Sequence, residues 1–225
     1  MNDIAKMQHN TLRYEFADGI RELHTAFWLL VTGFYAWIIW GSPAIWSPFA
    51  EFARAQGVVF MIFTTLVLPI AIPLILSQIG LKVINEHLRR RWLWRNTGYI
   101  KPKSWIVPRS VLFTSFVITF SCFIAGILLA VQLAAISFFL YGLYVGIGLA
   151  LAYMHLMVGI KLQIPRYRLV AVAGVSGTVL LCLLPIPVGL FPLIFSLFWT
   201  ATLVISGGYA IFQVARQQEA VADGA

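Results

Sequence analysis

The chain has 225 residues, of which 60% are apolar and 11% charged, with a formal net charge of +8 and a mean hydropathy of +0.87. A water-soluble domain carries about a quarter charged residues, so this complement cannot coat a globule of the same size. The composition excludes a secreted disulfide scaffold, a disordered tail and a nucleic-acid reader, and it points to an integral membrane protein.

A bilayer core of roughly 30 Å is crossed by about 20 apolar residues in a helix, and stretches of that kind set the predicted elements. Residues 1–22 are expected to form a cytoplasmic tail. Leu12, Phe16, Ile20 and Leu23 share one face, with Arg13, Glu15, Asp18, Arg21 and Glu22 elsewhere, so the tail should lie flat on the membrane. No small-residue cleavage site follows a short apolar core, and the first span is read as an uncleaved signal anchor. Residues 23–80 hold spans one and two, from Leu23 to Trp40 and from Gly57 to Gly80, with the Gly41-Ser42-Pro43 break between them. Pro69 and Pro73 each remove a backbone donor and should kink span two.

Residues 81–109 form a basic segment. Leu81, Ile84, Leu88 and Trp92 recur at helical spacing, opposite Lys82, Asn85, Glu86, Arg89 and Arg90, which predicts an amphipathic helix at the membrane surface. Arg91, Arg95, Lys101, Lys103 and Arg109 extend the charge, while Trp92, Trp94, Tyr99 and Trp105 suit the headgroup level. Spans three and four occupy residues 110–160, with a soft boundary near Ala134 that only Gln132 marks. Gly142 and Gly146, with Ala150, are spaced for close helix approach. A basic loop, 161–168, carries Lys161, Arg166 and Arg168. Spans five and six fill residues 169–212, with Ala173 and Gly177 in the first and Gly207 and Gly208 in the second. Tight packing of spans four to six is expected from these small residues. A cytoplasmic tail, 213–225, completes the chain.

Cations resist translocation and accumulate in short cytoplasmic loops. With six spans and both termini inside, fifteen of the 16 Lys and Arg residues share one side, and only Arg54 lies on the other. A five-span alternative would put Arg216 outside. The fold class expected is therefore an all-α integral membrane protein with six transmembrane helices, cytoplasmic N- and C-termini, and a basic interfacial helix between spans two and three.

The run Trp94-Arg95-Asn96-Thr97-Gly98-Tyr99-Ile100 after an Arg-rich helix resembles the cytoplasmic Tyr-Pro-Arg-Thr-Gly-Tyr-Val signature of a group of uncharacterised prokaryotic multipass membrane proteins. Thr97, Gly98 and Tyr99 match outright, whereas Arg95 and Asn96 stand where the group has Pro-Arg. The resemblance implies a bacterial cytoplasmic membrane and no particular chemistry.

No Asp, Glu, Lys or Arg falls in the middle of a predicted span, which argues against a carrier built on a buried carboxylate. Cys122 and Cys182 are read as small hydrophobes. No Cys-x-x-Cys, His-Glu-x-x-His or phosphate-binding Gly-rich loop occurs, so neither a metal site nor a cofactor is expected. One pairing merits a test: His155 and Ser176 fall at similar depth on the hairpin of spans four and five, where a histidine base could activate a serine. Gly174-Val175-Ser176-Gly177 is similar to the Gly-x-Ser-Gly of rhomboid intramembrane proteases, although no histidine follows Ser176. Alternatively, His24 and His155 could supply axial ligands to a haem.

The leading expectation is a non-catalytic accessory or scaffold subunit. Lys82, Arg89, Arg90, Arg91, Arg95, Lys101 and Lys103, flanked by Trp92 and Trp94, would dock anionic lipid, or a membrane or cytosolic protein partner. The alternative from a different class is a small-solute transporter or channel that moves about Pro69 and Pro73. Nucleic acid is not an expected partner.

Overall fold

A computed structural model of the chain describes residues 16–57, 59–60, 63–64, 83, 86–89, 91, 108–135 and 137–223. Among the described residues every regular element is a helix and there is no strand. The helices are α1 (Ile20–Gly41), α2 (Pro43–Ala55), α3 (Arg109–Gln132), α4 (Ser137–Lys161), α5 (Pro165–Leu183) and α6 (Phe191–Asp223), with one helical turn at Glu86–Leu88. Five of them, all but α2, are long and apolar enough to cross a membrane. They coincide with predicted spans one, three, four, five and six. Predicted span two, with Pro69 and Pro73, lies outside the described residues.

The helix ends follow from local chemistry. Pro165 opens α5 at a position where its missing N–H costs nothing. At the ends of α3 and α4 the chain turns through a residue in the left-handed region, Ala134 at φ 50° and Gln163 at φ 55°. The two turns are closed by Ala135 N–H donating to Ala130 O at 3.1 Å and Ile164 N–H donating to Gly159 O at 3.0 Å. Such six-to-one closure satisfies carbonyls that a helix end would otherwise orphan, and glycine is its usual pivot. A non-glycine pivot at Ala134 explains why that boundary is faint in the sequence.

Two departures from the predicted boundaries matter. Helix α1 begins at Ile20 rather than Leu23, after Gly19 turns the chain in the left-handed conformation at φ 75°. Residues 16–23 are therefore not one continuous surface helix, and Phe16 and Ile20 are buried. At the other terminus α6 runs on to Asp223, well past predicted span six, because Val214 and Ile211 pack on Ile20 and Gly207 abuts Gly19.

Helix α6 is central. Phe191, Phe195, Trp199 and Leu203 recur every four residues and are completely or almost completely buried among Ala26 of α1, Ala152 of α4, and Val170 and Leu181 of α5. Tyr141 and Tyr144 of α4 set their rings edge-on to Phe191 and Phe195, with centroids 4.6 and 5.1 Å apart. The pairs α1/α6, α3/α4, α4/α5 and α5/α6 run antiparallel, with Gly33 meeting Ser196, Gly126 meeting Gly142, Gly148 meeting Thr178 and Gly174 meeting Trp199, whereas α4 and α6 run parallel, Tyr141 lying at Phe191 and His155 at Trp199. Helix α3 packs on α4, and its other face exposes Phe113, Phe116, Phe120 and Leu128. With Leu169, Val172, Val179 and Leu183 of α5 also exposed, this apolar surface far exceeds what a water-soluble monomer tolerates. The protein is a multipass membrane protein.

Gly142 and Gly146 lie against α3, not against spans five and six. A Cβ on Gly142 would sit 2.6 Å from Cys122 O, and one on Gly146 2.8 Å from Thr119 O. Gly177 accommodates the Phe198 ring, whereas Gly208 faces open space and Ala173 is exposed.

Candidate functional site

The bundle has two distinct ends. At one, Gly41 at the end of α1 backs onto Gly189 in the α5–α6 connection. At the other, the Phe16–Gly19 turn, the α4–α5 turn and the distal half of α6 come together, and there the structure places a cluster of buried charge.

Glu22, in the first turn of α1, exposes only 1% of its surface. Arg166, one residue past the proline that starts α5, meets it with two nitrogens: Nε donates to Oε1 at 3.2 Å and Nη2 to Oε2 at 2.9 Å. Ser206 of α6 donates its hydroxyl to Oε1 at 2.6 Å. The same guanidinium donates from Nη1 to Ala17 O at 2.7 Å and from Nη2 to Phe16 O, and Tyr167 Oη donates to Phe16 O at 3.4 Å. One planar fork thus binds a carboxylate bidentately and straps down the turn that enters α1, a geometry lysine could not supply. Three transmembrane helices converge on one side chain.

Asp18 is fully buried beside it. Its Oδ1 accepts from Ile20 N–H at 3.1 Å, steadying the start of α1, and from Arg89 Nη2 at 3.1 Å, while Arg89 Nε donates to Oδ2. Arg89 itself is 5% exposed. Each of these two carboxylates faces a guanidinium, the pairing that allows charge to be withdrawn from water at a tolerable cost. The Arg21 guanidinium lies 4.3 Å from the centre of the Phe16 ring.

Of this cluster only Arg89 is among the predicted site residues. Asp18, Glu22 and Arg166 were assigned to tail and loop because charge is normally kept outside a span. The available signal was two carboxylates four residues apart at the mouth of an apolar run, in a chain with eight acidic residues in all.

The predicted site residues are distributed as follows. Arg89, assigned to lipid or partner docking, instead faces inward onto Asp18, so a headgroup cannot reach its guanidinium. Arg91 is exposed. Lys82, Arg90, Trp92, Trp94, Arg95, Lys101 and Lys103 lie outside the described residues, as does the run Trp94 to Ile100. His155 is not brought to Ser176: its Nδ1 is 2.7 Å from Leu151 O, its ring lies against Tyr167 and Trp199, and Ser176 is on the exposed face of α5. Among the described residues no hydrogen bond joins the two. The second haem-ligand candidate, His24, accepts at Nε2 from Trp28 Nε1–H at 2.7 Å. Among the described residues no three His, Cys, Asp or Glu side chains converge as a metal site would require.

Comparison of the chain with protein-family models, with curated proteins and with solved structures finds no match.

Proposed function

We propose that this chain is a non-catalytic accessory or scaffold subunit of a bacterial cytoplasmic membrane, with six spans and both termini in the cytosol. Its ionic end would be a positively charged platform for anionic lipid. The observation that carries this reading is the buried pair of Arg89 with Asp18, because it ties the basic segment to the transmembrane bundle at one defined level. Exposed Arg91, Arg109, Arg168 and Arg216 belong to the same end, where the headgroups of an inner leaflet would meet them. The sixth crossing is supported by its flanks: α1 ends against Gly189, whereas Arg89 pairs with Asp18 at the opposite end.

Each juxtamembrane cation attracts anionic lipid by about 1 kcal/mol. Reversing two exposed ones, Arg91→Glu with Arg168→Glu, is therefore expected to cut retained phosphatidylglycerol or cardiolipin about tenfold or more, as read by native mass spectrometry of detergent-purified protein. Unchanged lipid retention would remove the platform reading. So would solute uptake in proteoliposomes that depends on Pro69 and Pro73, which would put a transporter in its place.

A further inference from the structure

Among the described helices α2 packs mainly on α1, and Ala53 is its one buried residue. Helix α2 starts one residue after α1 stops, so Ser42 alone connects it to a span whose end is fixed by the contact of Gly41 with Gly189. Thirteen residues are too few to cross a bilayer core. Around the helix, Ile45, Phe49 and Phe52 recur at four- and three-residue spacing and form one stripe, with Trp46 packed on Phe49 at 5.0 Å between ring centroids. Ser47, Glu51 and Arg54 fall on the opposite side.

The stripe is not folded inward. Ile45, Phe49 and Phe52 are 60%, 42% and 57% exposed, with the Phe60 ring edge-on to Phe52, and the preceding α1 also presents an exposed apolar surface, including Phe34 and Trp40. Because α1 is a span, that surface meets lipid, and the one-residue link holds α2 at the depth where the hydrocarbon ends. A helix with large apolar side chains on one face and charges on the other is stable there when it lies in the plane of the interface. Trp40 and Trp46 add side chains suited to the headgroup level.

We propose that α2 lies in the membrane interface at the end remote from the ionic cluster. Ile45, Phe49 and Phe52 enter the acyl region, while Glu51 and Arg54 face water. The occupant of this face is the bilayer that α1 crosses. The platform reading concerns the other end of the molecule and can fail without affecting this one.

The test is a nitroxide scan of the full chain in phosphatidylcholine–phosphatidylglycerol vesicles. Single cysteines are placed from residue 45 to residue 54 on a background carrying Cys122→Ala and Cys182→Ala. Collision with oxygen, which concentrates in lipid, is compared with collision with a water-soluble nickel chelate. Oxygen accessibility should peak at 45, 49 and 52, and nickel accessibility at 47, 51 and 54, giving an accessibility ratio that oscillates with helical period. Nickel maxima at 45, 49 and 52 would mean that the stripe faces water. Low accessibility to both reagents at those positions would mean that protein covers it, either another part of this chain, a second copy or a partner. Either result overturns the proposal.

Discussion

Arg166→Met is expected to destabilise the bundle by about 3–5 kcal/mol, the loss typical when one partner of a buried ion pair is removed. The loss has two sources. Glu22, almost fully buried, keeps only the Ser206 hydroxyl for a carboxylate that had two guanidinium contacts, and the Phe16 and Ala17 carbonyls lose their strap. Arg166→Lys should recover only part of the loss, because an ammonium is a point donor and cannot reach two carboxylate oxygens and two carbonyls together. The informative variant is the double one. Glu22→Gln with Arg166→Met removes both charges and should lie closer to wild type than Arg166→Met alone, with a coupling of about 1–3 kcal/mol. Unfolding in a graded detergent titration reads these differences. A single-variant loss below about 1 kcal/mol, the range of exposed pairs, would show that the contacts of Arg166 do not hold the helices.

The second large effect concerns backbone contact between α3 and α4. Gly142→Leu places a Cβ 2.7 Å from Gly126 Cα as well as against Cys122 O. Both are main-chain atoms, so no side chain can swing aside and the two helices must separate. In lipid no hydrophobic force draws helices together, and association depends on such close packing. Overpacking of this kind costs about 1–3 kcal/mol in a well-packed interior, occasionally more. Gly208→Ala is the control. Nothing lies within 4 Å of its added carbon, and alanine suits a helix interior better than glycine by up to about 1 kcal/mol. Gly142→Leu should therefore unfold earlier in the same titration, and Gly208→Ala no earlier than wild type.

The parts of the fold legible in the sequence are those set by local composition. Apolar runs of bilayer length give five spans directly, and the small residues Gly142 and Gly146 announce a close contact. The partner helix was not legible, because a glycine row says that a backbone can approach without saying which one does. The His155 and Ser176 pairing illustrates a related limit. Hairpin symmetry equates depth along two helices but leaves their rotation free. Ser176 is two residues from both Gly174 and Thr178, which are buried, so it points about 200° away from each of them.

The ionic cluster was hidden for a different reason. Its pairs span 71 residues between Asp18 and Arg89 and 144 between Glu22 and Arg166, and a local reading treats each charge as solvated. Their cost in an apolar setting is what normally assigns them to loops, and that cost is offset only once tertiary structure supplies the partner. Helix α2 was obscured by its own residues: Pro43 and Pro48 interrupt the pattern, and its apolar stripe is too short to register as a span.

The central claim is that the ionic cluster and α2 lie on opposite sides of the membrane, with the cluster in the cytosol. It is tested most directly by labelling two single-cysteine chains, Ser47→Cys and Gln217→Cys, with a membrane-impermeant maleimide in a Cys122→Ala, Cys182→Ala background. Both positions are exposed and lie outside the core. Ser47→Cys should react in intact spheroplasts and Gln217→Cys only after lysis. Reaction of both from the same side, or of Gln217→Cys alone in intact spheroplasts, would contradict the account.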